Sequence, residues 1–246
     1  MIVVRQSESP WDTFTKIYDC DLAGPLAVVA HRARPSQLFG VRTIRHKDID
    51  QLLHLFESLQ HPNVLSALEA YVYDKSLYIF HSDICISLDE IITCDADLDE
   101  IQLAAILAQI LDGLLYLTER NTQHPCLSSQ NILCTSEGEV KIARLEECKE
   151  VQADKIGQYS KELEVITMEL MQVYKKGGSN AELDNTERWD GSDALEFLLS
   201  VVSEAPIQKL REHPLFTNNQ WLKGHLQGLV SYASRFAFTF CDYADA

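Results

Sequence analysis

Apolar positions along the 246 residues fall into two regimes. Up to about residue 82 they come in short β-prone runs. LAVVAHRA (26–33) and LFGVRTI (38–44) predict strands, and RPSQ between them, with Pro35, predicts a turn. Residues 47–60 (KDIDQLLHLFESLQ) change period: Ile49, Leu52, Leu53, Phe56 and Leu59 recur on one face of a helix. HPN then ends that helix, because the residue before a proline avoids helical dihedrals. VLSALEAYVYD (64–74) and SLYIFHSDI (76–84) predict a further pair of strands.

Past SLDEII the pattern is helical. Residues 98–121 contain no proline and carry a broad apolar stripe through Leu103, Ile106, Leu107, Ile110, Leu111, Leu114 and Leu117, which predicts a long buried helix. Residues 160–173 and 193–203 predict further helices, and the polar, glycine-containing stretch 175–191 a loop. A strand-rich half with one helix is thus followed by a larger helical half. The hinge between them is expected near residues 82–87.

Composition narrows the class. With 46% apolar and 24% charged residues the chain reads as an ordinary globular protein. No apolar run is read as membrane-spanning, and MIVVRQSESPWD lacks the basic and apolar segments of a secretory signal. Seven cysteines, at 20, 85, 94, 126, 134, 148 and 241, form no close pair and no zinc-like array, so reduced thiols in an intracellular, cytoplasmic setting are expected. A net charge of −16 argues against nucleic acid and anionic membranes and favours a partner with a basic face.

The order of these elements, and several motifs, resemble a protein kinase. HPCLSSQN (124–131) is similar to the kinase catalytic loop H-R-D-L-x-x-x-N, with His124, Leu127 and Asn131 at matching positions. NILCTSEGEVKIA resembles the hairpin that leads to the D-F-G motif, with Gly138 in its turn and Arg144, Leu145 and Glu146 at the motif itself. FGVRTI resembles the V-A-I-K strand, with Arg42 in place of lysine. REHPLF is similar to a late helix of the larger lobe. The resemblance covers roughly residues 13–228 and is nearest to eukaryotic Ser/Thr kinases. It implies an α+β, bilobal fold: an antiparallel-sheet N-lobe with one C-helix over 13–84 and a mainly helical C-lobe over 85–246, in a single domain.

The same comparison locates departures. Cys126 stands where the resemblance implies the catalytic aspartate, and Arg144 where it implies the metal-binding one. A guanidinium has only donors and cannot coordinate a cation. Pro125 replaces an arginine. Leu52 stands where the C-helix glutamate would pair with the strand cation, so that ion pair is expected to be missing. The glycine-rich loop keeps Gly24 alone, in YDCDLAGPLAVV, with Asp19 and Asp21 nearby. Those carboxylates, with Glu146 and Glu147, read as solvated loop charges. About fifteen residues separate Glu146 from the next helix, so a shortened activation segment without a peptide platform is expected. Asn131 alone is a poor magnesium site, and hydrogen bonding to its own loop is its expected role.

These departures lead to the expectation of a catalytically inactive pseudokinase, not an enzyme, acting by protein–protein contact as scaffold, decoy or allosteric regulator. No catalytic residue, cofactor or metal is assigned; Arg42, Leu52, His124, Cys126, Asn131 and Arg144 are the degenerate positions. The expected partner is another protein, such as an active kinase or one with a basic face, with weak or no ATP binding. The alternatives are an atypical nucleotide-binding enzyme with a rewired site and a small-ligand sensor using the cleft between the lobes.

Overall fold

The structure is a computed structural model, and it describes residues 2–46, 48–82, 86–94, 96–152, 159–172 and 186–237. The chain opens with β1 (Val3–Gln6) and α1 (Pro10–Thr13), then β2 (Phe14–Asp21), β3 (Pro25–His31) and β4 (Arg34–Ile44). Helix α2 (Ile49–Ser58) precedes β5 (Glu69–Tyr73) and β6 (Ser76–His81). These strands form one six-stranded sheet in the order β1-β5-β6-β4-β3-β2. Every pairing in it is antiparallel except β1 with β5, which is parallel.

The expected antiparallel N-lobe is therefore present, with two differences. RPSQ is not a turn but the start of β4, and the turn lies at Arg32–Ala33, inside the His31–Arg34 pair. Proline's fixed φ suits an extended strand, and the register shift at His31 relieves the ladder there. Arg32 is tied down instead: its N–H donates to the Thr13 carbonyl at 2.9 Å and its guanidinium to the Trp11 carbonyl. The second difference is β1, which extends the sheet beyond residue 13.

Helix α2 starts at Asp48, whose side chain accepts from the Gln51 N–H, and ends at Leu59 before the HPN turn. It buries Leu52, Leu53 and Phe56 in a core shared with Leu77 and Ile79 of β6. Each such side chain contributes roughly 1.5–3 kcal/mol on burial. The opposite face of the sheet carries a separate cluster of Phe14, Val29, Val41, Tyr71 and Phe80, with Trp11 of α1 set edge-on to Tyr78.

The helical half follows. A two-residue strand, β7 (Ile86–Ser87), leads into α3 (Leu88–Thr93), where Ser87 and Glu90 form a reciprocal cap. Of the expected hinge, residues 83–85 lie outside the described ones. Helix α4 (Glu100–Glu119) is the centre of this half, and all seven residues of its predicted stripe are buried. Contrary to the sequence expectation, α4 is long and apolar enough to cross a membrane, but 72% of its apolar window is buried within the fold, as suits a core helix.

The chain continues through β8 (Thr122–Gln123), β9 (Ile132–Cys134), β10 (Val140–Ile142) and β11 (Lys149–Glu150) to α5 (Ser160–Met171). Helices α6 (Asp193–Val202), α7 (Ile207–Arg211), α8 (Pro214–Thr217) and α9 (Gln227–Ala237) complete it. Of the predicted loop 175–191, only 186–191 are described, and Thr186–Trp189 forms a short 3-10 turn. Buried polar groups join the layers. Gln109 of α4 accepts from the Val140 and Asn63 N–H groups and donates to the Gly138 and Ala105 carbonyls. At Gly138 (φ +79°) an added Cβ would lie 2.0 Å from the Lys223 carbonyl oxygen, so that hairpin turn requires glycine.

Candidate functional site

The site lies where the sheet meets α4 and the β9–β10 hairpin. Strand β8 and the 3-10 turn Ser129–Asn131 hold the 124–131 loop between them. His124 is buried, its N–H donates to the Tyr159 hydroxyl at 2.9 Å, and its Nε2 lies 2.8 Å from the Ala143 carbonyl oxygen. Only a protonated Nε2 can make that second contact, so Nδ1 is the bare nitrogen, and it is buried without a hydrogen-bond partner among the described residues. Burial lowers the His124 pKa, which keeps the ring neutral. This histidine is a strut between the loop, the hairpin and α5.

Asn131 is equally occupied. Its Nδ2 donates to the Cys126 carbonyl at 2.6 Å, its N–H to the Ser128 carbonyl, and its own carbonyl accepts from the Ala143 N–H. The Cys126 side chain is half-buried, and burial pushes its thiol pKa up, so it is a neutral thiol near neutral pH.

Arg144 adopts a left-handed backbone (φ 57°) that starts the 3-10 turn Leu145–Glu147. The turn buries Leu145 and aims two carboxylates back at the cleft. Glu147 Oε1 lies 2.7 Å from Arg144 Nη2. Glu146 Oε1 lies 3.7 Å from Arg42 Nη1 and 3.9 Å from Arg144 Nε. Leu52, in contrast, is buried in the core.

The acidic partner of Arg42 comes from the turn after β10, a pairing the sequence did not indicate. One sequence expectation is thereby corrected. Glu146 is not a solvated charge, since its side chain is only 13% exposed and it stands between two guanidiniums. Glu147 is engaged as well. Asp19 pairs with Lys16 on the surface, and Asp21 Oδ1 accepts from the Gly24 N–H at 3.0 Å.

Arg42 itself is buried, and its hydrogen bonds do not point into open space. Nη1 donates to the Ala23 carbonyl at 2.8 Å and Nη2 to the Leu22 carbonyl at 3.0 Å. Burial lowers its pKa from the ordinary range, and Glu146 opposes that shift. Leu22 and Ala23 are buried with Leu26, Leu65, Leu133 and Ala143. The turn between β2 and β3 therefore sits inside the cleft. The apolar pair Leu22–Ala23, in a loop that the resemblance implies should be glycine-rich, was the sequence signal for this. Beside the turn remains a cavity of about 430 Å3, lined by Asp21, Gly24, Asp89, Glu90, Asn131 and Arg144 among others. Among the described residues no group of three His, Cys, Asp or Glu side chains could hold a metal ion.

This arrangement of strand cation, buried loop histidine, asparagine and hairpin can be set beside known proteins. A family model described as the protein kinase domain matches residues 30–173, more than half of the chain. The chain belongs to the protein kinase domain family. Among relatives, serine/threonine-protein kinase TAO1-B of Xenopus laevis is 27% identical over 124 residues, covering 46% of this chain and 12% of that protein. Serine/threonine-protein kinase 36 of Pongo abelii is 28% identical over 96 residues, covering 39% of this chain and 7% of its own length. Serine/threonine-protein kinase max-2 of Caenorhabditis elegans is 26% identical over 107 residues, 41% of this chain and 16% of that protein. The match thus spans less than a fifth of each of these relatives.

These findings correct one expectation outright. In the sequence alone, Cys126 and Arg144 are the grounds for expecting a protein that is not an enzyme. A protein kinase domain and relatives named serine/threonine-protein kinases point to a kinase enzyme.

Proposed function

We propose that this protein kinase domain acts in signalling through protein–protein contacts, as a scaffold, decoy or allosteric regulator, in the cytoplasm. The observation that carries the reading is the use of Arg42. Its guanidinium serves two backbone carbonyls of its own chain, while α2, α4 and the hairpin keep the full packing of the fold. Weak binding of ATP goes with this reading, because the turn that holds Arg42 fills the space above Leu133. The net charge of −16 supports a partner with a basic face over nucleic acid or an anionic membrane. Attraction of that kind speeds encounter and weakens with salt.

The test is capture of partners by the tagged protein, identified by mass spectrometry and repeated with two kinds of variant. Cys126→Ala and Arg144→Ala should leave capture unchanged. Reversal of Asp50 and Glu57 on the exposed side of α2, or of Glu150 after β10, should weaken it. If the cleft variants abolish capture while the fold stays intact, the cleft binds what matters and the reading fails.

A second reading, a nucleotide-binding kinase enzyme with a rewired site, is favoured by the family match and by the names of the relatives. Transfer of labelled phosphate to a protein substrate with magnesium or manganese, lost in a folded Arg42→Ala variant, would carry it over the first.

A further inference from the structure

The turn between β2 and β3 differs from an exposed hairpin tip in every contact it makes. Leu22 and Ala23 are 6% and 5% exposed, seated against Leu65, Leu133 and Ala143. Both of their carbonyls accept from Arg42. The turn is closed on itself by the Leu22 N–H to the Gly24 carbonyl at 3.0 Å and by Asp21 capping the Gly24 N–H. Ala23 holds φ 53°, a left-handed backbone unusual for a residue with a side chain, so the seat overrides a local preference.

The seat also covers positive charge. A Cβ built on Gly24 would lie 3.0 Å from Arg42 Nη1 and 3.6 Å from Arg144 Nη1, so both guanidiniums converge beside this one glycine. They repel each other, and Glu146 bridges them at 3.7 and 3.9 Å, beyond ordinary hydrogen-bond length. Arg144 Nε is buried with no hydrogen-bond partner among the described residues. A carbonyl carries only a partial charge, so an anion would satisfy these donors better than the turn does.

We infer that the Leu22–Gly24 turn is an autoinhibitory plug, and that Arg42 holds either the turn's carbonyls or an incoming anionic ligand, but not both. Seated, the turn removes Arg42 and the apolar floor at Leu133 from any ligand. Released, it frees both together, because one short segment covers them. The proposal is a two-state segment whose equilibrium a ligand shifts by its preference for the open form. It goes beyond a role in protein contacts and holds whether or not a partner is captured.

The experiment compares the wild-type chain with Leu22→Ser, which removes the apolar anchor and adds no charge. Binding of ATP in excess EDTA is followed by thermal shift and titration calorimetry. Leu22→Ser should bind at least about tenfold tighter than wild type, the factor that ~1.4 kcal/mol of lost anchorage gives. Adding Arg42→Ala to Leu22→Ser should abolish the gain. Equal binding by wild type and a folded Leu22→Ser, including none by either, overturns the plug, and so does a gain that survives Arg42→Ala. Should Leu22→Ser not fold, Asp21→Ala, which uncaps the Gly24 N–H outside the apolar seat, takes its place with the same two outcomes.

Discussion

Arg42 Nη1 donates to the carbonyl oxygen of Ala23 at 2.8 Å, so the strand cation of this kinase domain is bound to its own hairpin turn. Three groups depend on that guanidinium: the Leu22 and Ala23 carbonyls and the Glu146 carboxylate. Hydrogen bonds to a charged group contribute about 1.5–3 kcal/mol, and stripping one partner from a buried pair costs about 3–5. Glu146 keeps some access to water, which lowers the second figure. Arg42→Ala should therefore lose about 2–4 kcal/mol in urea unfolding. Arg42→Lys, which cannot reach both carbonyls with one fork, should lose about half of that. A loss below about 0.5 kcal/mol for Arg42→Ala would mean that the guanidinium holds nothing in place.

Much of this was legible in the sequence, and the reason differs by element. The stripe of α4 from Leu103 to Leu117 spans about four turns, so periodicity alone placed it. His124, Leu127, Asn131 and Gly138 lie within fifteen consecutive residues, and their spacing carried the loop and hairpin. What the sequence hid are long-range pairings with no local signature. Glu146 sits in an acidic run, and nothing nearby reveals that Arg42 comes to meet it. RPSQ carries turn residues, yet Arg32 is held by the Thr13 and Trp11 carbonyls, and that contact moves the turn two residues earlier. VVRQ is too short to predict a strand without its parallel partner at β5.

Gly113 of α4 tests close packing against propensity. In a helix interior alanine is favoured over glycine by about 0.8–1 kcal/mol. A Cβ at 113 would, however, lie 2.7 Å from the Asn63 carbonyl oxygen and 2.9 Å from Ile142 Cδ1. The first of these is backbone in the HPN turn and cannot swing away. Overpacking of this kind costs about 1–3 kcal/mol, so the clash should win and Gly113→Ala should be less stable by about 1–2 kcal/mol. A stabilised variant would show that the turn retreats freely from α4.

Gln109 should be more costly than its type suggests. It is buried and serves Asn63, Val140, Gly138 and Ala105 at once. Gln109→Leu keeps the approximate volume but leaves the Val140 N–H and the Gly138 carbonyl without their partner. With about 1–3 kcal/mol for each buried group left unpaired, the expected loss is about 2–4 kcal/mol. Hydrogen exchange offers a local readout: the Val140 amide should lose protection more than the amides in the middle of α4.

Acid should destabilise the N-lobe through His81. This ring is buried in β6, its Nδ1 lies 3.0 Å from the Ser66 carbonyl oxygen, and burial together with nearby Arg42 pushes its pKa down to about 4. In the unfolded chain the same group titrates near 6.5. Between these values the unfolded state binds a proton that the folded state refuses. Stability is therefore complete above about pH 6.5, falls as pH drops towards 4, and stops falling on this account below that. The full window is worth roughly 3 kcal/mol, at 1.36 kcal/mol for each unit. His124, whose pKa burial also lowers, adds a loss of the same sign. Urea unfolding at pH 7, 6, 5 and 4.5 should show the decline, and His81→Gln, which keeps an N–H for the Ser66 carbonyl without a titrating group, should flatten it. An unchanged slope in a folded His81→Gln variant would assign the acid sensitivity to other groups.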